Sequence, residues 1–192
     1  GRAGSMAVQT ADARTAWVSD EAASLLHWPK GEAMNGATDP LNIKRGEPAL
    51  ESLLQDLLAA QKYAVLATES GGQPYTSLMA FSVSEDLRDL ILLTERATHK
   101  YANLMANRRV AMFIDNRENV GADTLDAVAI TALGEAEEVA GEDCARLRDA
   151  YLTRHPYLAG FATSPSCAVM RVRVRSYIVV RDFQEVQEWR MR

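Results

Sequence analysis

The densest run of reactive side chains is Thr94-Glu95-Arg96-Ala97-Thr98-His99-Lys100. It lies between the expected end of a strand and the expected start of a helix. A helix start offers free backbone N–H groups and the positive end of a dipole, which suits an anion. Arg96, His99 and Lys100 add positive charge and donors, and Thr94 and Thr98 add hydroxyls. Together they could grip a phosphate through charge-assisted hydrogen bonds. The chain holds no Ser-His-Asp or paired-carboxylate pattern, so no catalytic residue is assigned. No metal site is expected either, since the two cysteines, Cys144 and Cys167, lack the Cys-x-x-Cys spacing.

Strands and short helices must position this cluster. Leu50, Leu53, Leu54, Leu57 and Leu58 recur at helical spacing behind Pro48, which predicts a helix over 48–61 with one apolar face. Residues 63–68, 75–83 and 89–94 read as a three-stranded meander, with Ser70-Gly71-Gly72-Gln73-Pro74 as a hairpin turn. Thr98 is placed to cap a short helix whose Tyr101, Leu104 and Met105 share a face. Further strands are expected at 109–115, 127–139 and 167–180, with a helix from Gly141 to about Thr153. Strand and helix do not alternate regularly, so a doubly wound sheet is excluded. The expected fold is mainly β, an antiparallel barrel with helical decoration.

Residues 1–46 read as an N-terminal arm with one helix near 19–27, residues 47–182 as the barrel domain and 183–192 as a tail. Gly1–Ser5 ahead of Met6 read as a cloning remnant, and no apolar leader follows. With 21 Lys and Arg against 26 Asp and Glu, the net charge of −5 argues against a nucleic-acid partner. No run of about 20 apolar residues is present, so no membrane span is expected. Sparse cysteine use fits a cytoplasmic location.

Gly72-Gln73-Pro74-Tyr75-Thr76-Ser77, Leu92-Leu93-Thr94, Thr98-His99-Lys100-Tyr101-Ala102-Asn103-Leu104 and Asn107-Arg108-Arg109-Val110-Ala111-Met112 resemble the pyridoxamine 5'-phosphate oxidase-like family of split β-barrels. The resemblance spans residues 48–180 and implies FMN bound at the seam of a homodimer. It implies that the strand Tyr75, Thr76, Ser77, Leu78, Met79 to Ser82 runs along the flavin ring. It also implies that Thr94, His99 and Lys100 hold the phosphate, beside which the cluster itself places Arg96 and Thr98. The oxidase carries an Arg and a Lys where this chain has Ser77 and Ser82. The resemblance therefore implies a flavin-dependent oxidoreductase of unknown substrate rather than pyridoxamine phosphate oxidation. The segment from His155-Pro156 through Tyr177 to Phe183 is similar to the haem-utilisation branch, without its glycine-rich end. Haem handling, a deazaflavin (F420) reductase and a non-catalytic flavin module are the alternatives.

Several conspicuous residues have plainer readings. Arg171, Arg173 and Arg175 alternate along one strand face and should pair with Glu135, Glu137 and Glu138 on a neighbouring strand. His155 is expected at the surface, capping a helix end. Cys167 and Cys144 should line the interior, and Trp28 and Trp189 should anchor the two ends.

Overall fold

The computed structural model describes residues 44–45, 48–182 and 185–191. The helix expected near 19–27, Trp28 and the rest of the arm lie outside the described residues, apart from a two-residue strand β1, Lys44–Arg45. The body runs α1 (Pro48–Ala60), β2 (Tyr63–Ser70), β3 (Gln73–Val83), β4 (Asp89–Glu95), α2 (His99–Ala106), β5 (Arg109–Asp115), α3 (Asp123–Asp126), β6 (Ala129–Glu138) and α4 (Glu142–Arg154). A 3-10 turn (Pro156–Leu158), α5 (Ala159–Ala162), β7 (Cys167–Arg181) and β8 (Glu185–Arg190) complete it.

The strand order β7-β4-β3-β2-β5-β6 returns to β7, which closes a six-stranded antiparallel barrel. β8 pairs beside the second half of β7, and β1 adds to it in parallel. Strand alternation explains the barrel wall. Ala64 and Leu66 of β2, Met112 and Ile114 of β5, Ile130 and Ala132 of β6, and Met170 and Val172 of β7 all point into one core. Leu50, Leu54, Leu57 and Leu58 of α1 join that core, with Leu53 at its margin. A second, outer cluster forms where α4 lies on β4 and β7, around Ile91, Leu93, Leu147, Tyr151 and Val169.

Two features fix the register. Gly71 and Gly72 have φ of 61° and 84°, the paired positive values of a two-residue hairpin turn joining β2 to β3. Gly134 sits at a register shift between β6 and β7, where a Cβ would stand 2.3 Å from the carbonyl oxygen of Arg173. Only glycine permits that approach.

β8 falls in the segment expected to be a tail, and Trp189 on it packs against the main core. Met105 departs from expectation and is 47% exposed. On so short a helix, Asn103 and Leu104 take the inward side and leave Met105 outside. His155 is also a correction. It does cap α4 through its backbone, but its side chain is fully buried because α4 packs directly on β3 and β4. Nε2 contacts the carbonyl oxygen of Phe81 at 2.8 Å, and Nδ1 contacts Tyr157 Oη at 2.9 Å. Arg154 beside it donates to the carbonyls of Leu58, Ala59 and Gln61, satisfying the end of α1.

Candidate functional site

The barrel is not equally closed along every seam. β3 pairs with β2 from Gln73 to Ala80, but with β4 only over Phe81, Ser82 and Val83. Beyond Leu92, β4 pairs with β7 alone. The second edge of β3 from Pro74 to Ala80 therefore has no strand partner among the described residues. Unpaired edge groups need another partner, from water or a ligand. The start of α2 lies across from this edge, with the His99 and Tyr75 rings 5.2 Å apart and tilted by 49°.

Thr94, next to last in β4, lies where β3 and β4 have parted and is 1% exposed. Its hydroxyl lies 3.1 Å from that of Thr98, which donates to the carbonyl of Glu95 at 2.7 Å. Thr98 caps α2 as expected, accepting from the amide of Tyr101 at 3.4 Å. The amides of His99 and Lys100 are in the first turn and so lack an intrahelical acceptor. Among the described residues, neither the Lys100 ammonium nor the His99 ring has a hydrogen-bonding or carboxylate partner.

The remaining predicted residues divide by strand phase. Tyr75, Ser77 and Met79 face the barrel and α2, with Met79 buried in the core. Thr76 and Leu78 face outward, and Leu78 is 72% exposed. Ser82 is buried and pairs with Ile91, so it faces the outer cluster beneath α4 rather than the cleft. Arg96 is turned aside. Its guanidinium pairs with Glu138 and donates to the carbonyls of Pro165 and Cys167. Burial pushes the Glu138 carboxyl up, but the Tyr101 hydroxyl and Arg96 outweigh it and hold the group below its ordinary value.

The arginine row on β7 is paired in part: Arg175 falls at the register shift against β6 and has no carboxylate partner among the described residues, and Glu138 is taken by Arg96. Arg171 and Arg173 both bind Glu137, as does Arg108. Arg171 first, with Arg173, keeps the Glu137 carboxyl below its usual range. Cys167 is buried, and Cys144 packs at the edge of the same outer cluster. No helix among the described residues is long and apolar enough to cross a membrane.

Sequence reasoning missed two contributors to the cleft, Thr68 and Asn103. Both are buried polar residues, at 3% and 5% exposure, in positions where apolar side chains would be expected. The available signal was phase: Thr68 continues the inward alternation of Ala64 and Leu66, and Asn103 stands beside the inward Leu104.

A six-stranded antiparallel barrel that opens along half of one seam is a split β-barrel. The pyridoxamine 5'-phosphate oxidase family profile matches residues 50–189, and the chain belongs to that family. No curated protein matches it in sequence. Among solved structures it is similar to a haem-binding protein from Mycobacterium smegmatis, at 18% identity and a TM-score of 0.66, covering 74% of this chain and 58% of that one. It is similar to HutZ, the haem storage protein of Vibrio cholerae, at 18% identity and TM-score 0.58, covering 65% and 89%. It also resembles an FAD-binding protein from Mesorhizobium loti, at 19% identity and TM-score 0.56, covering 69% and 92%.

Proposed function

We propose that this chain binds FMN in the cleft between β3 and α2 and acts as a flavin-dependent oxidoreductase, as a cytoplasmic homodimer. The observation that carries this is the pairing of an unpartnered strand edge with an uncommitted cationic helix start. The edge of β3 offers the N–H and C=O groups of Thr76, Leu78 and Ala80, which suit the polar rim of a flat heterocycle. The amides and side chains of His99 and Lys100, with Thr94 behind them, suit a phosphate. Bound flavin would supply the hydride or electron chemistry, and the chain would supply orientation and charge. Arg96 and Ser82, both committed elsewhere, take no part.

The homodimer rests on the outer face of the sheet. Leu78, Val65, Phe113, Thr131 and Ile178 form one row across five strands. This apolar row adjoins the β3 edge, so a second copy laid on it would wall the cleft. A haem reading has two of the named neighbours in its favour. It loses His155 as a ligand, because both ring nitrogens are engaged, Nε2 with the Phe81 carbonyl and Nδ1 with the Tyr157 hydroxyl.

The test is the visible spectrum of the purified protein, followed by FMN titration monitored through flavin fluorescence. A flavin spectrum, or saturable quenching of added FMN, is expected. A Soret band with no response to FMN would remove this reading in favour of haem. Consumption of NAD(P)H with an acceptor then separates an enzyme from a binding module.

A further inference from the structure

Within the cleft, α2 carries the cationic wall and β3 carries the strand edge. The β3–β4 ladder does not set the distance between them, because those strands have already parted there, and β3 is held by β2 alone, with Tyr75 directly opposite Thr68. Two side-chain relays tie α2 to this β2–β3 hairpin. Asn103 donates from Nδ2 to Thr68 Oγ1 at 3.1 Å, and that hydroxyl lies 3.3 Å from the Tyr75 carbonyl oxygen. Asn107, at the end of α2, donates to Glu69, which also accepts from the amide of Gly72 in the hairpin turn. The hairpin presenting β3 is thus bound to α2 at its tip and at the first residue of the cleft edge.

The proton directions in the first relay follow from the Asn103 amide presenting Nδ2 to Thr68. An amide nitrogen only donates, so Thr68 must accept from Asn103, and its single proton is left for Tyr75. Asn103 follows Lys100 by about one helical turn, and Tyr75 contacts His99. Each end of the relay therefore sits beside one wall of the cleft, while Thr68 stays 3% exposed.

We propose that Thr68 and Asn103 are positioning residues. Through the Tyr75 carbonyl they fix the separation between the β3 edge and the start of α2, so that the ring and phosphate of one flavin are held together. This inference rests on the flavin reading above. Two half-sites at a matched, fixed separation bind a linked pair of groups more tightly than either alone, and the advantage falls when the separation is loose.

The experiment titrates the parent, Thr68→Val, Thr68→Ser and Asn103→Leu with both FMN and riboflavin, and follows amide hydrogen exchange in the cofactor-free proteins. Thr68→Val keeps the side-chain shape and removes both contacts, whereas Thr68→Ser keeps the hydroxyl. In Thr68→Val and Asn103→Leu the preference for FMN over riboflavin should fall by about tenfold, and in Thr68→Ser it should stay within about twofold. Exchange in Thr68→Val should quicken over residues 69–79 and 98–107, with β6 and β7 unchanged. A folded Thr68→Val with the parent's preference overturns the inference, as does equal loss in Thr68→Ser or exchange that rises throughout the chain. A parent that binds neither flavin overturns the cofactor reading instead. The exchange pattern alone then upholds or overturns the spacing role.

Discussion

Lys100 and Arg173 are both cations on a sheet-and-helix surface, and their surroundings give them opposite expectations. Among the described residues Lys100 has no acidic partner, whereas Arg173 is bound to Glu137. Deleting a charge-assisted hydrogen bond costs about 1.5–3 kcal/mol, so Lys100→Ala should weaken FMN binding by about 10- to 150-fold. Riboflavin should bind the variant like the parent, and Arg173→Ala should leave both flavins unaffected. Fluorescence titration of the two variants with the two flavins decides the matter. Equal loss of riboflavin would move the phosphate away from α2. His155 is a second residue with a sharp expectation. His155→Ala leaves the Phe81 carbonyl without its donor and opens a buried cavity, so urea unfolding should show a loss of about 2–4 kcal/mol. An unchanged midpoint would contradict the wall role. Residue types marked out the start of α2, because the Thr98 cap is a matter of local geometry. Ser82, Arg96 and His155 were not legible, because the strand phase at the β3–β4 junction, the reach to Glu138 and the docking of α4 are all set by distant segments.

Among the elements, β6 and β7 hold the longest ladder, with Glu137 opposite Arg171. The Glu137 carboxyl is held below its ordinary value of 4.5, chiefly by Arg171. A group depressed in this way stabilises the fold fully above the unfolded value and loses that contribution as pH falls through the lower folded value. The parent's urea midpoint should therefore drop more steeply below pH 4.5 than that of Glu137→Gln, and the two curves should converge in acid. Parallel curves would mean that the ladder draws nothing from this cluster. The row itself was readable from sequence, because strand periodicity put the arginines on one face and acids on a candidate neighbour. The leucine helix and the Gly-Gly hairpin were readable for the same reason, since each is written in local spacing. By contrast, β8 and β1 exist only because β7 extends beyond β4 and leaves an edge to be covered. No local pattern in residues 185–190 announces that.

For the molecule as a whole, the barrel was foreseeable from a series of short strands with hairpin links. Its split was not, since the point where β3 leaves β4 is a property of pairing. The row running from Leu78 to Ile178 is the proposed seam between two copies. Leu78→Asp places a charge there, so sedimentation of this variant at micromolar concentration should show a monomer where the parent shows a dimer. A parent that is monomeric with cofactor bound would defeat the seam.

The closing strand has a consequence for how the chain reaches this state. β7 joins β4 to β6, yet it follows both in chain order. During synthesis, the five other strands of the barrel emerge before the one that seals them, and two sheet edges stay open meanwhile. Pairings this distant in sequence make folding slow, and open edges invite association between nascent chains. Chains ending before Cys167 should accumulate as aggregates rather than as a smaller folded barrel.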